Sequence, residues 1–138
     1  MSQDLILKMK DEHAKAIMRA CDLMARLYMG QTDVLNQISS SEGAKGIMDY
    51  DFVKKVSHPE LQANSSYSIL SPQISNEARV LIEIHDVIRH FLSWEKEENG
   101  PEERNWSKQF GVNYDTPHCH SGVSLPKIER EQNEKGGE

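Results

Sequence analysis

The most unusual local string in the sequence is His118-Cys119-His120. In an extended segment alternate side chains point the same way. The two imidazoles would then face one side, where they could bind one metal ion, while Cys119 faces the other. Pro117 and Gly122 bracket the string and favour a turn. A zinc-type site needs further ligands, so His118 and His120 are candidate metal ligands that the fold would have to complete.

A second candidate site lies on a predicted helix and consists of Glu83, Asp86 and His90. At about 100° per residue, Asp86 and His90 share one flank of the helix, and Glu83 lies one turn back. A carboxylate and an imidazole at this spacing can both reach one metal ion. The interpretation that we favour is an exposed acid–imidazole pair on a solvated helix face. His85 lies about 140° from His90 and is predicted to take no part.

His13 interrupts the apolar face of the first predicted helix, between Met9 and Ile17. Its side chain is therefore predicted to point at the partner helix. We expect a buried imidazole that hydrogen-bonds a neighbouring group; the alternative is a metal ligand or a base in the core. His13 or His90 would complete a site at 118–120 only if the fold brought it close.

The sequence lacks the short motifs of several enzyme classes. It has no GxxxxGK[ST], GxGxxG, GxSxG or HExxH motif, and no pair of ExxH motifs. Glu83 and Asp86 form an ExxD that is similar to half of the magnesium site of the all-α nucleotide pyrophosphohydrolases. That family also carries an ExxE-type pair on another helix, whereas Asp11-Glu12 is followed by Lys15 and Ala16 at the corresponding spacings. A metal-dependent hydrolase is the alternative function, and no catalytic residue is assigned.

Two long amphipathic helices are predicted to position these residues, over about 4–28 and 75–97, because apolar residues recur there every three or four positions. Gly30 is predicted to stop the first helix, and Ser75 or Asn76 to cap the second. Short helices are predicted near 32–38 and 50–56. The two predicted apolar faces comprise Ile6, Met9, Ala16, Ile17, Ala20, Leu23, Met24 and Leu27, and Val80, Leu81, Ile84, Val87, Ile88, Phe91 and Leu92.

The remaining segments are less regular. Residues 42–74 contain turn-forming prolines and are interpreted as a connection packed on the core by Tyr67, Ile69 and Leu70, with a short hairpin as the alternative. Residues 105–125 are predicted to be ordered but irregular. We predict an all-α, bundle-like fold with the two long helices antiparallel. A single domain is predicted over 1–125, followed by a disordered charged tail over 126–138 that has too little apolar surface to bury.

Composition argues against several classes of partner. The 138 residues suffice to form one hydrophobic core without disulfide bonds or a structural metal ion. The net charge of −6 repels phosphate backbones and anionic lipid surfaces, so neither nucleic acid nor membrane is an expected partner. No apolar run approaches the roughly 20 residues of a membrane span. Cys21 and Cys119 lie far apart, which suits free thiols in a reducing compartment. The predicted location is the cytoplasm.

Two segments resemble parts of small uncharacterised proteins of bacteriophages and prophages. They are Ala-Arg-Leu-Tyr-Met-Gly-Gln at 25–31 and Asp-Val-Ile-Arg-His-Phe-Leu-Ser-Trp at 86–94. The resemblance covers the two long helices and little else. It implies a setting in a host-cell cytoplasm and implies no activity.

The two long apolar faces together exceed what the few short elements can cover. Self-association would cover the excess, and the methionines of the first helix adapt well to partner surfaces. We therefore predict a phage-type accessory protein that acts through contact with a protein partner or with itself, as a homodimer, and not as an enzyme. No cofactor is expected; the hydrolase alternative would require a divalent metal.

Overall fold

A computed structural model describes residues 3–38, 50–62, 64–98 and 114–132. These residues form helix α1 (Asp11–Tyr28), a 3-10 helix (Thr32–Ile38), helix α2 (Tyr50–Ser57) and helix α3 (Asn76–Glu98), and none of them lies in a β-strand. The mainly α-helical prediction is confirmed. No helix in the described part of the chain is long and apolar enough to cross a membrane. The predictions for 42–49, 105–113 and 133–138 fall outside the described residues.

Helix α1 begins later than the sequence predicts, at Asp11 instead of about Asp4. Lys10 is extended (φ −86°, ψ 166°), and its backbone N–H donates to Nδ1 of His13 over 3.1 Å. Residues 3–10 are exposed. Most helices in proteins are stabilised by packing of their apolar face, and the apolar side chains of the predicted first two turns are not packed against any part of the chain that the structure describes.

The other helix ends agree with the sequence predictions. Gly30 ends α1 with a φ of +87°, a backbone conformation that favours glycine, and a Cβ atom there would lie 2.5 Å from Cδ1 of Leu61 and displace that side chain. Ser75 is the N-cap of α3, because its Oγ accepts the N–H of Glu77 over 3.2 Å. The hydroxyl of Thr32 donates to the Tyr50 carbonyl over 2.8 Å, which ties the 3-10 helix to α2.

Helices α1 and α3 pack along each other. Tyr28, at the end of α1, donates to Glu77, in the first turn of α3. At the other end, Arg130 forms ion pairs with both Asp11 of α1 and Glu95 of α3. The end of each helix is thus joined to the start of the other, the pattern that an antiparallel pair produces.

The core lies where the end of α1 meets the start of α3. Its buried members are Met29, Ile74 and Ala78, and Tyr67 and Ile69 pack against them as predicted. Leu70, predicted to join them, is instead 65% exposed, because it lies in the turn before α3. The connection between α2 and α3 therefore closes the core with two of its three predicted side chains.

Helix α1 buries a different face from the one that its sequence predicts. Cys21, Ala25 and Met29 are buried, whereas Ile17 and Met24 are 36% and 44% exposed. Apolar residues cover about two thirds of the circumference of α1 at 100° per residue. Periodicity alone therefore does not decide which part meets α3. We call Ile17, Ala20 and Met24 the outer face of α1; all three are exposed.

Helix α3 is covered on two opposite sides. Ala78 and Ile88 are buried, and so is Glu83, although Glu83 lies about 140° around the helix from Ile88. One side packs on α1, and the other lies under residues 114–130. The side that the sequence predicts to be solvated is therefore covered.

Residues 126–132 contact both long helices, which the prediction of a charged tail does not foresee. The guanidinium of Arg130 lies 2.7 Å from Oδ1 of Asp11 and 2.6 Å from Oε2 of Glu95, and 5.8 Å from the centre of the Phe91 ring. Lys8 pairs with Glu131 over 2.9 Å. Ion pairs hold this segment together with the partly buried side chain of Ile128, and hydrophobicity in the sequence does not register the ion pairs.

The Arg130 contacts should make stability depend on pH. Hydrogen bonds from Arg130 lower the pKa of Asp11 below its ordinary 3.8 and that of Glu95 below its ordinary 4.5. The two carboxylates therefore stabilise the folded state above their ordinary pKa values, and this contribution is lost as the pH falls through the lowered values. We expect Arg130→Ala to lower Tm slightly at neutral pH, and the difference from wild type to shrink towards about pH 3.

The matched control for this experiment is Lys127→Ala. Lys127 forms its ion pair with Glu129, within the same segment and over 3.7 Å. This variant should melt like wild type at every pH. A difference between Arg130→Ala and wild type that stays constant down to about pH 3 would show that the carboxylate pairs do not contribute.

Candidate functional site

The segment 114–121 covers the polar side of α3 from its C-terminal to its N-terminal end. The rings of Trp94 and Tyr114 meet edge to face with centres 5.1 Å apart, and the indole N–H of Trp94 donates to the Tyr114 carbonyl over 3.3 Å. At the other end, the side-chain amide of Asn76 donates to the carbonyl of Ser121 over 2.9 Å. The favoured interpretation of this side as a solvated acid–imidazole surface is therefore wrong.

Glu83 is the anchor of this segment and is only 3% exposed. Its Oε2 accepts the backbone N–H groups of His120, over 2.7 Å, and Ser121, over 2.8 Å. Its Oε1 accepts the hydroxyl of Ser121 over 2.6 Å. Both carboxylate oxygens thus hold the loop in place. The sequence marks Glu83 only as a candidate ligand, because no local pattern links an acid to a turn 38 residues later.

Asp86 pairs with residues on its own helix. Its Oδ1 lies 3.0 Å from Nδ1 of His85 and accepts a hydrogen bond from Nη2 of Arg89 over 3.1 Å. The predicted pairing of Asp86 with His90 is not formed. The imidazole of His85 reaches the carboxylate of the adjacent residue despite its position around the helix.

His90 packs instead against the next turn of α3. Its ring meets the Trp94 ring edge to face with centres 6.4 Å apart. Its Nδ1 is buried and has no hydrogen-bond partner among the described residues. Glu83, Asp86 and His90 therefore have three different surroundings. Within the described ranges, no three His, Cys, Asp or Glu residues are arranged to hold a metal ion.

His13 does not point into the helix pair. It is exposed, and its Nδ1 accepts the backbone N–H of Lys10 at the start of α1. The prediction of a buried imidazole is wrong because α1 starts just before His13, which places the ring where it can cap an unpaired N–H group. His13 and His90 do not join 118–120 in a three-residue metal group among the described residues.

His118 and His120 lie together, as the alternation of an extended segment predicts. Their ring centres are 6.2 Å apart and their planes are tilted by 41°. The thiol of Cys119 donates to the Val123 carbonyl over 3.0 Å. Both imidazoles, but not Cys119, line a cleft against α3.

This cleft has a volume of about 230 Å³ and runs between α3 and residues 115–120. Its charged lining consists of the carboxylates of Glu83, Asp86 and Asp115 and the guanidinium of Arg89. Carboxylates and neutral imidazoles are electron-pair donors, so the chemistry of this lining favours a cation. The complete lining is Ile69, Ile82, Glu83, Asp86, Arg89, Asp115, Thr116, Pro117, His118 and His120.

A second, larger cavity of about 640 Å³ lies further along α3, beneath residues 125–130. Aromatic and aliphatic side chains dominate its wall, and Arg130 and Glu95 lie at its rim. The complete lining is Val87, His90, Phe91, Trp94, Glu95, Thr116, Pro117, Leu125, Pro126, Lys127, Ile128 and Arg130.

Comparisons of the chain with models of protein families, with curated proteins and with solved structures find no match.

Proposed function

We propose that this protein acts through protein–protein contact, as a homodimer joined through the outer face of α1. The observation that carries the proposal is the exposure of Ile17 and Met24, at 36% and 44%, in the middle of a helix whose neighbouring apolar face, at Cys21 and Ala25, is already buried. Contiguous exposed apolar surface of this kind is typical of contact sites.

A second copy of the chain suits this face. In a two-fold symmetric dimer the same patch meets itself. If two α1 helices cross at Ala20, Ile17 of one copy faces Met24 of the other, and the small alanine lets the helices approach closely. The outer face carries no charged side chain, although each copy has a net charge of −6. Contact at this face therefore brings no acid directly against another.

The area required for a stable dimer points to a further contribution from the segment before α1. Specific interfaces bury about 1,200–2,000 Å² in total, which is more than one short helical face supplies. Leu5, Ile6 and Leu7 are 90%, 89% and 74% exposed. They continue the apolar surface beyond the start of α1, and we propose that they contribute to the same interface.

The wider role is that of a phage-type accessory protein in a host-cell cytoplasm, a setting supported by the two resembling segments alone. The alternative of a metal-dependent hydrolase at Glu83, Asp86 and His90 gains no support from the geometry, because both oxygens of Glu83 are engaged by the loop. We therefore propose contact rather than catalysis.

The oligomeric state in solution tests the proposal. Light scattering should give a mass twice the 15.8 kDa of one chain at high concentration. Ile17→Glu and Met24→Glu should each shift the equilibrium to the monomer, because each would bury an unpaired charge in the interface. The helical circular dichroism signal should stay unchanged in both variants.

The matched control is Val56→Glu. Val56 is also apolar and is 68% exposed, but it lies on α2, away from the outer face. This variant should dimerise like wild type. A wild-type protein that is monomeric at every concentration would refute the proposal, and so would outer-face variants that dimerise as well as the control.

A further inference from the structure

The two imidazoles of His118 and His120 lie on a loop whose backbone is hydrogen-bonded to the side chain of Glu83 on α3. Glu83 accepts the N–H of His120 itself and both the N–H and the hydroxyl of Ser121. Because this carboxylate is buried, water competes little for these hydrogen bonds. The backbone that carries the imidazoles is thus positioned before any ligand arrives, which lowers the entropy cost of binding.

The separation of the rings suits a shared metal ion. Bonds between a metal and imidazole nitrogen are about 2.0–2.1 Å long, so two imidazoles on one ion place their ring centres about 5 Å apart at a tetrahedral angle and about 6.5 Å apart when opposite. The observed separation is 6.2 Å. Both residues are exposed, so their rings are free to rotate about the side-chain bonds, and a shift of about 1 Å in the ring separation would give the tetrahedral arrangement.

The surrounding charges favour a cation at this position. The carboxylates of Asp86 and Asp115 line the same cleft. The guanidinium of Arg89 also lines it and pairs with Asp86, so these two charges offset each other, and the carboxylates of Asp115 and Glu83 leave the lining with a net negative charge. Imidazole ligands select Cu²⁺, Ni²⁺ and Zn²⁺ over Mg²⁺ and Ca²⁺, which prefer oxygen.

We propose that His118 and His120 form a binding site for a divalent transition-metal ion, positioned by Glu83, with the remaining coordination positions open to water or an external ligand. This site is independent of the proposed dimer. It does not use the outer face of α1, and its two ligands lie outside the acid–imidazole trio on α3, of which Glu83 positions the loop and Asp86 lines the cleft. Because the protein supplies only two ligands to the ion, the affinity of the site for the metal depends on both imidazoles.

Titration of the untagged protein with Ni²⁺, followed by calorimetry, tests the site directly. Wild type should bind one ion per chain. His118→Ala and His120→Ala should each weaken binding by about tenfold or more. His13→Ala is the matched control: it removes another exposed imidazole, on α1, and should leave the affinity unchanged.

Electron paramagnetic resonance of the Cu²⁺ complex adds a readout of the ligands themselves. The wild-type spectrum should show two nitrogen ligands, and each of the two variants at 118 and 120 only one. The proposal is overturned if wild type binds no Ni²⁺, if both variants bind as tightly as wild type, or if the loss appears equally in His13→Ala.

Glu83 is a positioning residue in this site, and its role can be separated from the ligands. Glu83→Gln keeps the shape of the side chain but replaces one acceptor by an N–H₂ donor, which faces other donors in the loop. The Cu²⁺ spectrum should keep two nitrogens while the Ni²⁺ affinity falls. Ser121→Ala removes only the hydroxyl and should show a smaller fall. Unchanged affinity in folded Glu83→Gln would refute the positioning role.

Discussion

Replacing Glu83 by alanine should lower the free energy of unfolding by about 2–5 kcal/mol. The backbone N–H groups of His120 and Ser121 and the Ser121 hydroxyl would lose their acceptor, a carboxylate that is only 3% exposed in wild type. Each buried donor left without a partner costs about 1–3 kcal/mol. Chemical denaturation monitored by circular dichroism measures the loss.

Limited proteolysis locates the effect within the fold. In Glu83→Ala the segment 115–125 should be cleaved sooner than in wild type, while the helices remain intact. Glu77→Ala serves as the control, since Glu77 lies on the same helix but is exposed and accepts one side-chain hydrogen bond, from Tyr28. If the two variants lost the same small amount of stability, Glu83 would not be the anchor that the geometry indicates.

Replacing Ala25 by aspartate should have the largest effect of all, because it should prevent folding under ordinary conditions. Ala25 has no exposed surface and lies where α1 packs along α3. An unpaired carboxylate there costs several kcal/mol, which is comparable with the whole stability of a typical domain, about 5–15 kcal/mol. The expected observation is loss of the cooperative thermal transition and of most of the helical signal.

Ala16→Asp is the matched control on the same helix. Ala16 is exposed, and the same change there should cost only the lower helix propensity of aspartate, less than about 1 kcal/mol. The sequence predicts the opposite order, since it assigns Ala16 and not Ala25 to the packing face of α1. If Ala25→Asp kept its cooperative transition, or Ala16→Asp lost it, α1 would pack on α3 through the face that periodicity predicts and not through Ala25.

The helices were predictable because their signals are local. Ser75 and Gly30 mark their ends through the hydrogen bonds and dihedral angles of their own neighbourhoods, and apolar periodicity marks the lengths of the helices. The start of α1 was not predictable in this way. Met9 continues the apolar pattern, but whether the pattern forms a helix depends on a packing partner far away in the sequence.

In the candidate site, too, one feature depends on local sequence and the others depend on contacts between residues that are far apart in the chain. The His118 and His120 rings lie on the same side of the chain because alternate side chains of an extended segment point the same way. This depends only on the local backbone. The role of Glu83 depends on a turn that the fold brings onto α3, and the same holds for the contacts of Arg130 with Asp11 and Glu95. Such contacts produce no periodic pattern in the sequence. A charged residue that anchors a segment therefore cannot be distinguished by its sequence from a charged residue on the solvent-exposed surface.

The distances along the chain between the partners also set an order of events during synthesis. Tyr28 and Glu77 are 49 residues apart, and Arg130 and Asp11 are 119 apart. At about 5–20 residues per second, the ribosome completes α3 roughly 4–14 s after α1. Throughout that interval the face of α1 around Ala25 has no partner in its own chain, and the ion pairs that join the two helix ends form last. Helix α1 is therefore the element that waits longest for its packing partner, and the segment that joins the two helix ends is synthesised last.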